Sequence, residues 1–134
     1  MKLHLDRELL QLLDLVRELA PDTRVFLVGG AVRDILLGRS AKDLDFVQSH
    51  GSIQLAKAVS RHLDGAIYTL DDVRHSARVI LRQGREDEQV LDFTSFIGED
   101  LELDLRQRDF TINAIALDLD YPDEIIDPDR KSVV

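Results

Sequence analysis

The stretch LVGGAVRDILLGRSAKDLDFV, residues 27–47, decides the fold and contains the side chains of greatest chemical interest. It continues the apolar run Val25–Val28, which is typical of a short buried strand. Gly29–Gly30 then turns the chain, and the apolar period of Ala31–Leu37 predicts a helix. A second apolar run, Leu44–Val47, predicts a second strand. The order strand, glycine turn, helix and strand indicates a domain of mixed α and β structure.

Asp43 and Asp45 lie one residue apart at the start of the second strand. Alternate residues of a strand point to the same face, so these carboxylates lie side by side while Leu44 and Phe46 point into the core. Neighbouring carboxylates repel each other, and a divalent cation such as Mg²⁺ removes the repulsion. The pair also suits a two-metal site for phosphoryl or nucleotidyl transfer. For the D-x-D pattern alone, the alternative is an exposed acidic strand face.

The glycine turn upstream favours the metal site. Gly29 and Gly30 let the backbone approach an anion closely, and N–H groups at the start of a helix attract negative charge. Arg33 lies near that helix start, where a cation is unfavourable unless an anion lies nearby. A triphosphate would supply the anion. Together with the paired aspartates, these residues predict a site for a nucleoside triphosphate.

Composition bounds the class of protein. A chain of 134 residues with 44% hydrophobic and 32% charged residues predicts one globular domain. The absence of cysteine excludes disulfides and thiolate zinc sites. The sequence shows no apolar run of membrane-spanning length and no signal peptide, so we expect a cytoplasmic location and no membrane partner. The net charge of -9 indicates that any RNA is held by a local basic patch or by another domain.

The remaining segments predict further helices and strands in a mixed sheet flanked by helices, an α/β (α+β) fold. An amphipathic helix is expected over Leu3–Ala20, and Ser52 is expected to cap a helix over Ile53–Leu63. The segment RQGRED, residues 82–87, predicts the turn of a hairpin. Strands are expected at Ala66–Thr69, Ala77–Leu81 and Gln89–Phe93, a helix at the end of Arg106–Ala116, and a short extended segment at Glu124–Ile126.

Asp92 and the segment RQRDFTINAIA, residues 106–116, supply further polar candidates. Asp92 lies within a predicted strand, where it could take the proton of an attacking hydroxyl, complete a metal site, or be an edge-strand aspartate. Arg108 could reach a phosphate, Asp109 could cap the helix or orient an arginine, and Asn113 could bond a ribose, a base or the backbone.

Other acidic pairs are expected to be solvated turns. The second D-L-D tripeptide, Asp118–Asp120, has no glycine turn upstream and leads into Tyr121–Pro122. Asp71–Asp72 and Glu86–Glu88 are also expected to lie in turns.

Two motifs together carry a family resemblance. The Gly-Gly and D-x-D strand of residues 27–47 resembles the signature of the polymerase-β-like nucleotidyltransferase superfamily. Combined with RDFTINAIA, residues 108–116, it is similar to the catalytic head of class II tRNA CCA-adding enzymes and bacterial poly(A) polymerases. The resemblance runs from about Val25 to Pro128, so the whole chain is expected to be a single head domain.

The resemblance implies a role for each matching residue. Gly30 and Arg33 match positions that contact the phosphates of the incoming nucleotide. Asp43 and Asp45 match the two magnesium-binding aspartates, and Asp92 falls where the family has a third acidic residue on a strand.

The segment around RDFTINAIA also matches a nucleotide-binding motif of the family, with one residue that differs from it. Arg108 matches the second arginine of the usual R-R-D-F-T motif, a nucleotide contact, whereas Gln107 replaces the first arginine. The replacement removes one expected positive charge, for which Arg106 is a partial substitute.

The resemblance implies that nucleotides, C or A, are added from CTP or ATP to the 3′ end of an RNA, most simply a tRNA, with two Mg²⁺ ions. The helical domains that follow the head in this family, which select the base and hold the RNA, are not in the sequence. We therefore expect a head-domain fragment, a truncated product or one part of a split enzyme. The alternatives are poly(A) addition and a catalytically inert nucleotide-binding fragment.

Overall fold

The computed structural model describes residues 6–71, 75–95, 116–120 and 125–126. These ranges contain helices and the strands of a single sheet. In chain order they are α1 (Arg7–Glu18), β1 (Val25–Val28), α2 (Gly30–Leu36), β2 (Asp43–Gln48), α3 (Ser52–Leu63), β3 (Ala66–Asp71), β4 (Ser76–Leu81), β5 (Gln89–Ser95), β6 (Ala116–Asp118) and β7 (Ile125–Ile126).

The strands pair in the order β3-β4-β5-β2-β1-β6-β7. β2 runs parallel to β5, and every other pair of neighbours in the described part of the chain is antiparallel. The antiparallel pair of β4 and β5 is the hairpin predicted around residues 82–87. The sheet is therefore mixed, which confirms the predicted fold class.

The core lies between one face of the sheet and the helices. Val16 of α1, Val32 of α2 and Val59 of α3 join a single buried cluster with Phe46 of β2 and Phe93 of β5. The two rings stack with centroids 5.0 Å apart. Burial of such a side chain contributes about 1.5–3 kcal/mol, so this pair holds the parallel strands β2 and β5 against the helices. The opposite face of β2 is left to polar side chains at its start.

The first helix is shorter than predicted. It begins at Arg7 because the carboxylate of Asp6 accepts a hydrogen bond from the N–H of Leu9 at 2.8 Å, which satisfies a backbone donor of the first turn. It ends at Glu18, ahead of Pro21. In the ranges that the structure describes, no helix has both the length and the apolar character needed to cross a membrane.

Ser52 does not cap α3, so that prediction is wrong. Gly51, with a φ of 78°, is the N-cap, and Ser52 is the first helical residue. Its hydroxyl instead donates to the carbonyl of His75 and lies 3.0 Å from the hydroxyl of Ser95. Because Ser52 is fully buried, its hydroxyl is satisfied by β5 and by the residue that precedes β4 rather than by its own helix.

The second D-L-D tripeptide is mostly buried, which overturns the prediction of a solvated turn. Asp118 is only 3% exposed and forms an ion pair with Arg24. It also accepts a hydrogen bond from the N–H of Asp120 at 3.0 Å. The reason is tertiary: β6 pairs with β1 and places Asp118 opposite Phe26. Only Asp120 lies in an exposed turn, as predicted.

Two further boundaries differ from prediction. Ala116 begins β6 rather than ending a helix, and residues 106–115 lie outside the described residues. Asp71 ends β3, so it belongs to a strand and not to a turn, while Asp72 lies outside the described residues. The extended segment predicted at residues 124–126 is confirmed at Ile125–Ile126.

Candidate active site

Antiparallel pairing of β1 and β2 brings the glycine turn to the D-x-D strand. Val28, the last residue of β1, is the register partner of Asp45. The next residue, Gly29, has a φ of 79° and a ψ of -148°, a conformation that is essentially restricted to glycine. A Cβ placed on Gly29 would lie 3.6 Å from Oδ2 of Asp45. The carboxylate of Asp45 therefore lies against the backbone of the turn.

Asp43 and Asp45 lie on the same face of β2, as the sequence predicts. Both are exposed, whereas Leu44 and Phe46 between and after them are each 1% exposed and belong to the core. The alternation follows directly from the pleat of the strand. The two carboxylates are thus accessible to a ligand on the face of the sheet that the core does not use.

Asp92 lies on the neighbouring parallel strand in direct register with Asp45. Paired residues on adjacent strands project to the same face, so Asp92 joins Asp43 and Asp45 on one side of the sheet. Its side chain is 21% exposed. The sequence places Asp92 on a strand, but only the parallel pairing of β2 and β5 brings it beside the D-x-D pair.

Arg78 was not recognised from the sequence. It lies on β4 opposite Asp92 and binds both carboxylate oxygens, with Nε to Oδ1 at 2.8 Å and Nη2 to Oδ2 at 3.1 Å. The hydrogen bond and charge of Asp92 raise the pKa of Arg78 above its ordinary value, against a smaller lowering by desolvation. Asp43 and Asp45 raise that pKa further, so the guanidinium also interacts with the D-x-D pair. In the sequence, Arg78 looks like any exposed residue of a strand, and no motif marks it as part of a site.

Arg33 approaches the glycine turn from the helix that follows it. It is the fourth residue of α2, and its side chain is 46% exposed. A Cβ on Gly30 would lie 3.7 Å from Nη2 of Arg33, so the guanidinium lies over the start of the helix. Nε lies 4.0 Å from the carboxylate of Asp34, and this exposed pair contributes little to stability. Arg33 is therefore a cation beside Gly30 that an anionic ligand can reach.

The candidate site is separate from a large groove in the described part of the chain. A groove of about 820 Å³ lies elsewhere, between α1, the end of α2 and the β4–β5 turn. Leu12, Ile35 and Leu81 are among its lining residues, and the three aspartates are not. We place the candidate site at the aspartates because Asp43, Asp45 and Asp92 share one face of the sheet beside the glycine turn.

Comparison with known proteins identifies the family. The profile of the poly A polymerase head domain matches residues 25–130 of the chain.

The chain belongs to this family.

The match has almost the same bounds as the resemblance predicted from the two motifs, about Val25 to Pro128, and confirms it. The CC-adding tRNA nucleotidyltransferase of Synechocystis sp. is 44% identical over 104 residues, a match that covers 76% of this chain and 24% of that relative.

Solved structures confirm the polymerase-β-like fold of the head domain. The Thermotoga maritima CCA-adding enzyme complexed with tRNA superposes with a TM-score of 0.77 at 31% identity, covering 92% of this chain and 30% of that one. A CCA-adding enzyme in complex with CTP has a TM-score of 0.78 at 30% identity, covering 92% of this chain and 31% of that one. The chain thus spans about a quarter of the curated relative and under a third of these structures.

Three predicted nucleotide-binding residues of the head domain cannot be placed. Arg108, Asp109 and Asn113 lie outside the described residues, as does Gln107. Their assignment stays a prediction from the motif RDFTINAIA.

The donor set of the head domain fits a hard divalent cation. Asp43 and Asp45 present carboxylate oxygens on one exposed face, and carboxylate oxygens are the ligands that Mg²⁺ prefers. Over residues 6–71, 75–95, 116–120 and 125–126, no three acidic, histidine or cysteine side chains converge as a metal group. The carboxylate of Asp92 bonds Arg78 instead. Two carboxylates with further oxygens from a triphosphate suit Mg²⁺, which is usually held by one or two carboxylates and substrate phosphates.

Proposed function

We propose that this chain is the catalytic head of a nucleotidyltransferase that adds C or A from CTP or ATP to the 3′ end of an RNA, with tRNA as the acceptor. One observation carries the proposal. The register of β1 and β2 sets the carboxylate of Asp45 against Gly29, so that the glycine turn and the D-x-D pair lie side by side. The relatives named for CC addition to tRNA favour tRNA over poly(A) as the product.

The residues of the glycine turn bind the triphosphate in this proposal. Gly29 has no side chain to exclude a phosphate from the backbone, and Arg33 adds a positive charge beside Gly30. All ribonucleotides share the triphosphate, so these contacts do not distinguish C from A. Arg108, Asp109 and Asn113 are the proposed additional nucleotide contacts.

Asp43 and Asp45 are the residues that would hold two Mg²⁺ ions together with the phosphates. When bound, the metal supplies a Lewis acid that lowers the pKa of the attacking hydroxyl and stabilises the charge of the leaving group. The two carboxylates would fix the position of the cations. The phosphate oxygens are attracted to these cations, so the triphosphate is kept in line with the acceptor hydroxyl.

The transfer is a single in-line displacement. The 3′-hydroxyl oxygen of the RNA forms a bond to the α-phosphorus, and the bond from that phosphorus to the bridging oxygen of the β-phosphate breaks. Pyrophosphate leaves with the electron pair of the broken bond. The hydroxyl proton passes to the carboxylate of Asp92, which is our candidate for the general base.

Calorimetric titration with non-hydrolysable analogues of ATP and CTP, with and without Mg²⁺, tests the proposal. Both analogues should bind with similar affinity and only with Mg²⁺. Asp45→Asn should weaken binding at least about tenfold, because it removes one of the two charges that hold the cation. Asp120→Asn is the matched control, since it makes the same change in the exposed part of the second D-L-D and should leave binding unchanged.

Two results would contradict the proposal. One is failure of both analogues to bind the native chain in the presence of Mg²⁺. The other is an equal loss of binding in the variants of Asp45 and Asp120. Transfer of labelled CMP or AMP to a tRNA that lacks its terminal CCA, compared with a poly(A) primer, then decides between tRNA extension, poly(A) addition and an inert binding fragment.

A further inference from the structure

The ion pair of Arg78 and Asp92 occupies the same sheet face as the D-x-D pair. The guanidinium donates to both oxygens of the carboxylate, at 2.8 and 3.1 Å. The side chain of Arg78 is 41% exposed and that of Asp92 is 21% exposed, so the pair is open to the ligands that Asp43 and Asp45 would bind. The pairing joins adjacent strands of the site and is part of it.

This pairing conflicts with metal binding by Asp92. A guanidinium that bonds both oxygens occupies the lone pairs that face it, and its positive charge repels a cation at the same carboxylate. The described residues accordingly contain no group of three acidic side chains arranged to bind a metal, although Asp92 is in register with Asp45. Arg78 also neutralises one of the three carboxylate charges on this face.

An ordinary cross-strand ion pair would not need this placement. Such pairs contribute only about 0.2–1 kcal/mol to a sheet, and either member can lie on any exposed face. Here the arginine lies opposite the third acidic residue, and the charges of Asp43 and Asp45 raise its pKa in addition to Asp92.

We propose that Arg78 is a positioning residue that keeps Asp92 from binding divalent metal while no nucleotide is bound, so that Asp43 and Asp45 alone hold the cation. The proposal rests on the proposed function, because it assigns the metal to the D-x-D pair. It has two consequences. The nucleotide-free site binds divalent metal weakly, so that metal enters with the triphosphate, and Asp92 remains an oriented, unliganded carboxylate that can accept the proton of the acceptor hydroxyl.

Binding of Mn²⁺ alone, measured by electron paramagnetic resonance on the nucleotide-free chain, tests the proposal. Arg78→Met removes the charge and the hydrogen bonds while it retains the aliphatic stem. It should raise the affinity for Mn²⁺ at least about tenfold, because a repelling charge is lost and a third carboxylate is released. Arg78→Gln, which is also neutral, should change the affinity in the same direction and replaces the methionine variant if that variant loses its native circular dichroism.

The double variant Arg78→Met, Asp92→Asn provides the charge-matched control. It removes both members of a neutral pair, so the net charge of the face equals that of the native chain. Its affinity for Mn²⁺ should return to within about twofold of the native value, since the released carboxylate is gone. An ion pair without influence on the charge or the ligands of the metal site would leave the affinity of every variant at the native level.

The proposal is overturned if Arg78→Met does not tighten Mn²⁺ binding, or if the gain persists in the double variant. Asp45→Asn added to Arg78→Met separates this failure from that of the proposed function. Loss of Mn²⁺ binding on that addition places the metal at the D-x-D pair whatever Arg78 does. If Asp45→Asn leaves the affinity for Mn²⁺ unchanged, the proposed metal site is wrong, and so is the inference about Arg78.

Discussion

The ion pair between the exposed Arg24 and the buried Asp118 should respond differently to loss of one partner or the other. The side chain of Asp118 is 4% exposed, whereas that of Arg24 is 61% exposed and lies with its guanidinium carbon 5.3 Å from the centre of the Phe26 ring. Asp118 also accepts the N–H of Asp120 at 3.0 Å. The perturbations to compare are Arg24→Met and Asp118→Asn.

Burial decides the expected magnitudes. Arg24→Met leaves a buried carboxylate without its cation; losses of this type reach about 3–5 kcal/mol, and the remaining bond from Asp120 lowers our expectation to about 2–3 kcal/mol. Asp118→Asn removes one partner of Arg24, whose side chain is mostly exposed, and the amide oxygen still accepts the N–H of Asp120. Its loss should be about 1 kcal/mol, as for a partly exposed ion pair.

Urea denaturation followed by circular dichroism measures both changes in the free energy of unfolding. Arg24→Met should also lower the melting temperature about 3–5 °C for each kcal/mol lost in a chain of this size. Arg24→Lys, which keeps the charge, should retain most of the stability. If Asp118→Asn is as destabilising as Arg24→Met, or more so, the reasoning from burial is refuted.

Two glycine substitutions give further predictions. Gly29→Ala should reduce stability by about 1–3 kcal/mol through its φ of 79° and weaken binding of the ATP analogue, since the added Cβ would occupy the turn beside the carboxylate of Asp45. Gly38→Ala, with a φ of 72° and no atom within 4 Å of the new Cβ, should lower the urea midpoint without changing calorimetric binding. Equal effects on binding would contradict the role of the turn. Gly65→Ala should destabilise the fold by about 1–3 kcal/mol, measured as a lower urea midpoint, because its Cβ would lie 2.8 Å from Leu81 Cδ2. An unchanged midpoint would show that the side chain of Leu81 moves aside without cost.

The local alternation of polar and apolar residues was enough to predict part of the site. Asp43 and Asp45 share an exposed face because alternate residues of any strand do so, and Leu44 is buried for the same reason. The strand and helix on either side of Gly29–Gly30 were predicted within one residue, since apolar runs and glycines are local signals. The two motifs also predicted the family, which the profile match confirms.

Predictions failed where a polar group has a partner far along the chain. Ser52 has the residue type of an N-cap, but the sheet supplies the partners of its buried hydroxyl. Asp118 has the residue type of a turn, but it pairs with Arg24, 94 residues away. Residue type reports what a side chain can bond to, and only packing reports which partner is within reach.

The sequence by itself determined which face of β2 carries the D-x-D pair and that a glycine turn precedes it. The tertiary structure alone decided that Val28 lies opposite Asp45, that Asp92 lies beside Asp45, and that Arg78 holds Asp92. The physical reason is that alternation along a strand is a property of neighbouring residues, whereas the register between strands is chosen by the packing of the whole core. The candidate site depends on three of these registers, those of β1 with β2, β2 with β5 and β4 with β5.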